Sequence, residues 1–143
     1  MRHTLSLAAI LALAATAGCS TMEKMEHKLT GGDNVSLTGN NEVPPVQTAA
    51  KGSGTVTVGS DCTVKARITV TGMQATAAHI HQGAAGSNGP VIVPFVKEGN
   101  DTFVAKPDAK MNAEQCAAYK AGNTYVNVHS DAHKGGEIRA QLK

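Results

Sequence analysis

From Val35 onward, apolar and polar residues alternate in short runs separated by turn residues, which is the signature of strands buried on one face. Val35-Ser36-Leu37-Thr38 alternates and is followed by a Gly39-Asn40-Asn41 turn. Glu42 to Val46 is extended, because the paired Pro44 and Pro45 fit neither a helix interior nor a central strand. Gly54 to Val58 sets Val56 and Val58 against Thr55 and Thr57, Gly59-Ser60-Asp61 turns the chain, and Cys62 to Val70 alternates again. In that last run Val64, Ala66, Ile68 and Val70 share a face opposite Thr63, Lys65, Arg67 and Thr69, so the two segments predict a hairpin. Further strands are predicted at about Ala77 to Gln82, Val91 to Val96, Thr102 to Val104, Tyr125 to His129 and Glu137 to Leu142. One helix is predicted over Asn112 to Ala121, with Asn112 as N-cap, Glu114 in its first turn and Gly122 after its end. Many short strands and little helix indicate an all-β antiparallel Greek-key sandwich or barrel of immunoglobulin-like architecture, with one short helix.

The segment before Val35 has a different texture. Arg2 precedes an eleven-residue run, Leu5 to Ala15, that is apolar but for Ser6, and the small residues Thr16-Ala17-Gly18 lead to Cys19. A permanent spanning helix needs about 20 apolar residues, so the run reads as an export signal over residues 1–18. Thr-Ala-Gly-Cys resembles a bacterial lipobox, with Thr16 where an aliphatic residue is usual. The resemblance implies a lipidated Cys19 as mature N-terminus, a tether over residues 19–32 and a domain over 33–143. Ser20 after Cys19, by the same resemblance, favours the periplasmic side of the outer membrane, with the cell surface as the other possible face. The membrane is then a partner through the lipid anchor alone.

Composition narrows the chemistry. A formal charge of +2, with no arginine cluster and two Phe and two Tyr, offers nucleic acid neither a charged stripe nor a stacking platform. The shortage of aromatics leaves a modest core of Val, Ile, Leu and Ala. Cys62 and Cys116, an even pair in an exported domain, read as a disulfide, with two buried free thiols as the alternative. Their pairing would disfavour a blue-copper site, which requires a thiolate.

Histidine carries the candidate chemistry. His79 and His81 flank Ile80, so on a strand both imidazoles point to one face while Ile80 points to the other. Near the C-terminus Tyr125, Asn127 and His129 share a face opposite Val126 and Val128, and His133 follows across Ser130-Asp131-Ala132. Four of the six histidines thus fall into two tight groups. His79, His81, His129 and His133 are the candidate ligands of one transition metal ion, for which imidazole is the commonest protein ligand. Imidazole-only ligation suits Cu(II), zinc or nickel, and Cu(II) binds most tightly in the Irving–Williams order. Glu137 and Arg139 alternate with Ile138 and are predicted to form an outward structural charge pair. No catalytic residue stands out: there is no nucleophile motif, and Gly83 to Gly89 lacks the lysine and strand–helix context of a phosphate loop.

Leu37-Thr38-Gly39, Glu42 to Val46, Ala78 to His81 with Gly83, Asn88 to Val91, Tyr125 to His129 and Gly135 to Arg139 occur in this order. Together they resemble the CHRD domain, named after chordin and found also in bacterial exported proteins. The resemblance spans about residues 35–142, departs at Ala140 and His133, and implies an extracytoplasmic β-sandwich without a settled biochemistry. A weaker resemblance is to copper superoxide dismutases, which carry copper on a His-x-His strand; here a zinc-subsite loop and a long electrostatic loop are not evident. Three functions follow as expectations. The first is periplasmic copper handling or tolerance by a lipoprotein. The second is a metal-free interaction module for an envelope protein or matrix component. The third is a redox enzyme of superoxide-dismutase type.

Overall fold

Alternation of Val, Ile and Leu with Thr, Lys and Ser builds strands here because one face of each can be buried while the other meets water. A computed structural model describes residues 32–143. The export signal, Cys19 and nearly all of the tether lie outside the described residues. Eight strands form: β1 (Asp33–Thr38), β2 (Lys51–Val58), β3 (Val64–Thr71), β4 (Ala75–Gln82), β5 (Val91–Glu98), β6 (Thr102–Ala105), β7 (Thr124–Ser130) and β8 (Ile138–Leu142). Among the described residues one α-helix, α1 (Ala113–Lys120), links β6 to β7, and a short 3-10 turn covers Gly39–Asn41 after β1. The strands close an antiparallel barrel in the order β1-β2-β3-β6-β5-β4-β7-β8. The chain therefore crosses the barrel between β3 and β4, which are consecutive in sequence but not neighbours, as a Greek key requires. Of sandwich and barrel, the barrel is what forms, closed where Thr38 of β1 meets Arg139 of β8.

The inward faces follow the alternation. Leu37, Val56, Ile68, Ile80, Val126, Val128, Ile138 and Leu142 have no accessible surface, and the nearly buried Phe103 packs in the same core. Each such side chain stabilises the fold by roughly 1.5–3 kcal/mol relative to exposure. Helix α1 begins with a capping box: Gln115 N donates to Asn112 Oδ1 and Asn112 N donates to Gln115 Oε1, both at 2.9 Å. It presents Cys116 to Cys62 just ahead of β3, and the two are joined in a disulfide with Cα atoms 5.8 Å apart.

Outward faces differ around the barrel. On β2 and β3, Lys51, Ser53, Lys65, Arg67 and Thr69 are exposed as their polarity requires. On β7 and β8 the outward Tyr125, Asn127 and Arg139 are buried, because the segments 39–50, 83–90 and 131–137 fold over them. This corrects the reading of Glu137 and Arg139 as an outward charge pair. Glu137 accepts hydrogen bonds from Thr48 Oγ1 and Ser130 Oγ. Arg139 donates to the carbonyls of Ala84 and Ser87 and to Asn88 Oδ1. Among the described residues the salt bridge that forms joins the exposed Arg67 and Glu98.

Candidate metal centre

The register of three adjacent strands lays polar side chains out as a lattice on the outside of the barrel. His79 of β4 pairs with Asn127 of β7, which pairs with Arg139 of β8; the next row runs His81, Tyr125, Gln141. His129 pairs with Ala77 and so sits diagonally from His79. Diagonal neighbours of this kind are within reach for long or aromatic side chains. Ile80, between the two β4 histidines, points into the core as period two demands. The register between β4 and β5 slips after Ile80, so that His81 pairs with Val91 and Ile92 is the extra residue. Bulges of this type re-aim side chains at functional positions.

His79, His81 and His129 converge, each offering a ring nitrogen within 4.8 Å of the others. His81 is buried, whereas His79 and His129 are half-buried. Ring nitrogens around a tetrahedral ion at about 2.0–2.1 Å lie roughly 3.4 Å from one another, so small rotations of these imidazoles suffice to grip one. His133 does not join the group. Its backbone holds the turn instead, its amide donating to Ser130 O at 3.2 Å.

The hydrogen bonds around the rings decide their tautomers. His81 Nδ1 lies 2.9 Å from Gly89 O and His129 Nδ1 lies 3.0 Å from Lys134 O. A carbonyl only accepts, so each neutral ring carries its proton on Nδ1 and leaves a lone pair on Nε2. His79 Nδ1, 3.0 Å from His129 Nε2, is then the donor in that contact. A backbone carbonyl fixing the far nitrogen is the usual support of a metal-ligating histidine. His81 Nε2 is buried with no hydrogen-bond partner. Leaving such an acceptor unmet costs about 1–3 kcal/mol, so it calls for an explanation. A cation at that point supplies one, and the donor set fits it.

Electrostatics keep the rings neutral. Burial, reinforced by the neighbouring His129 and His81, pushes His79 down to about 4. Burial also lowers His81, against the opposing hydrogen bond to Gly89. The same holds for His129, opposed by its bond to Lys134. Neutral imidazole is the form that ligates metal.

Residues that period two alone left without a role support the site. Tyr125 stacks flat on His81, ring centroids 4.8 Å apart and planes within 6°, and Arg139 covers the other face of Tyr125 with Cζ 3.4 Å from its centroid. Gly89 N donates to Tyr125 Oη at 3.2 Å, so one residue of the 83–90 segment secures both His81 and Tyr125. Behind them Gly136, at φ +126°, packs so tightly that a Cβ would lie 2.5 Å from Asn127 Nδ2 and 2.6 Å from Glu42 Oε1. The Glu42 carboxyl is pushed up to about 7 by burial, against the pull of the Arg139 charge. The shared face of Tyr125, Asn127 and His129 was the sequence signal for this layer; that loops would cover it was not.

Fold and site together define a closed Greek-key barrel with a three-histidine cluster on the outer face of two adjacent strands. The family model of the CHRD domain matches residues 34–142, and the chain belongs to the CHRD family. No curated protein and no solved structure matches it.

Proposed function

We propose that this CHRD domain binds one transition metal ion, copper foremost, through His81 Nε2, His129 Nε2 and His79 Nδ1, whose proton moves to Nε2 as the ion displaces the bond to His129, and serves metal handling or tolerance in the cell envelope. The observation that carries the reading is the convergence of three imidazoles, each with a ring nitrogen within 4.8 Å of the others, beside a buried His81 Nε2 that no hydrogen bond satisfies. Histidine ligation without a thiolate suits Cu(II), zinc or nickel, and the Irving–Williams order places Cu(II) first. Cys62 and Cys116 are tied to each other and supply no thiolate. When bound, copper would offer Lewis acidity and one-electron chemistry; the chain's own part is to orient three neutral rings and exclude water behind His81.

The hydrogen bond between His79 and His129 favours a second reading, a metal-free module whose histidines serve as scaffold. That reading leaves His81 Nε2 without a purpose. We place the protein on the periplasmic side of the outer membrane, anchored through Cys19, on the strength of the lipobox-like Thr16-Ala17-Gly18-Cys19. Cys19→Ala should leave it uncleaved or mislocalised, and normal processing with membrane retention in that variant would refute the anchor. The functional reading is tested by deleting the gene and growing cells in graded copper. Wild-type protein should restore tolerance and His81→Ala should not; equal rescue by both would refute it.

A further inference from the structure

Three donors are one fewer than a tetrahedral ion takes. Among the described residues the converging group ends at His79, His81 and His129, without His133 or Asp131. In zinc proteins, sites whose only task is structural are closed by four protein ligands, whereas sites that exchange or activate a ligand keep one position open, and tetragonal Cu(II) likewise has room beyond three imidazoles.

Burial around the cluster is lopsided. His81 lies on the protein side at 7 % exposure, stacked on Tyr125. His79 and His129 instead line a surface depression of about 430 Å³ together with Thr76, Val91, Asp131 and Lys134. At about 30 Å³ per water, that volume holds roughly a dozen water molecules. An ion gripped by His81 from behind therefore has its remaining position turned toward this depression.

Charge decides what enters. Neutral imidazoles leave the charge of a divalent ion undiminished, and the single positive charge of Lys134 and negative charge of Asp131 offset one another on the walls. The ion's own charge then sets the sign of the depression. Lys134 is also the residue whose carbonyl orients His129, so its side chain starts at the rim of the site. Resting on the three-histidine reading above, we infer that the centre takes a small anion as an exchangeable fourth ligand through this depression, with the Lys134 ammonium drawing it in.

Azide is the probe. The purified protein is loaded with one equivalent of Cu(II), and azide is titrated while the visible and electron paramagnetic resonance spectra are recorded. A saturable change to a new spectrum, with copper retained after desalting, is the expected result. Lys134→Met should raise the azide dissociation constant about threefold at low ionic strength, and added salt should narrow the difference. A one-to-one copper spectrum that azide leaves unchanged, or azide that strips the copper, overturns this inference and leaves the three-histidine reading standing. Unchanged azide affinity in Lys134→Met overturns the part assigned to that side chain. Failure to obtain a one-to-one copper spectrum before azide is added overturns both.

Discussion

Replacing Gly89 with alanine should cripple the metal centre without touching a ligand. A Cβ on Gly89 would lie 1.6 Å from Gln82 O and 2.8 Å from Gln82 C, both backbone atoms that cannot swing aside. Ordinary contact begins near 3.4 Å, so the segment must shift by 3.4 − 1.6 = 1.8 Å. That shift exceeds what the bonds from His81 Nδ1 to Gly89 O (2.9 Å) and from Gly89 N to Tyr125 Oη (3.2 Å) can absorb, and it strains Gln82 N to Pro90 O (3.0 Å). Two or three hydrogen bonds at about 0.5–1.5 kcal/mol each amount to roughly 1–4 kcal/mol of stability. For a domain of this size that lowers Tm by about 4 °C per kcal/mol. Free of its carbonyl partner, His81 loses the fixed tautomer that aims Nε2, and loss of such support lowers metal affinity about 10–100-fold. Copper titration against a competing chelator, beside thermal melts of the metal-free protein, measures both effects. Gly135→Ala is the control: it lies in the neighbouring 131–137 segment, and a Cβ there meets nothing within 4 Å. Wild-type copper affinity in Gly89→Ala, or an equal loss in Gly135→Ala, would refute the reasoning.

Other consequences can be checked on the same material. Converting Cys62 and Cys116 to serine opens a loop spanning 54 residues and should lower stability by about 4 kcal/mol in chemical denaturation, more than any surface substitution. In the metal-free protein His79 has a folded pKa near 4, below the ~6.5 of an unfolded histidine. Protons then favour the unfolded chain, so this stability is complete above pH 6.5 and is lost as pH falls toward 4; melts of His79→Gln should lack that segment of the pH profile. Glu42 has the opposite sign: its folded pKa of about 7 lies above the unfolded 4.5, so its cost is complete above pH 7 and vanishes below 4.5. Glu42→Gln should therefore melt higher than wild type at pH 8, with the gap closing by pH 4.5; a constant gap would contradict the assignment.

Strand parity was legible because it depends only on adjacent residues. His-Ile-His put two imidazoles opposite a core isoleucine, and Tyr-Val-Asn-Val-His did the same for Tyr125, Asn127 and His129. The hairpin of β2 and β3, the disulfide and the capped helix were readable for the same local reasons or from cysteine number. What lies over a strand is not local. Arg139 points outward as its alternation with Ile138 requires, yet it is 1 % exposed because the 83–90 segment lays three acceptors on it. Glu137 follows a tight turn and bonds Thr48 and Ser130 instead of the arginine two residues on. His133 was grouped with His129 by proximity in sequence, but the converging group forms without it while its backbone closes the turn with Ser130. Gly89 gives no sign in the sequence of its contact with His81, since that contact depends on how an eight-residue connection folds back.

The central claim is that His79, His81 and His129 form one metal site, and a Cu(II) titration of wild type against the triple alanine variant tests it most directly. Calorimetry and electron paramagnetic resonance on the purified protein should show one copper per wild-type chain, a single type of copper with nitrogen ligands, and a Tm that rises with free copper. The triple variant should remain folded by circular dichroism and lose that binding. Equal copper affinity and an identical spectrum in both proteins would contradict the account.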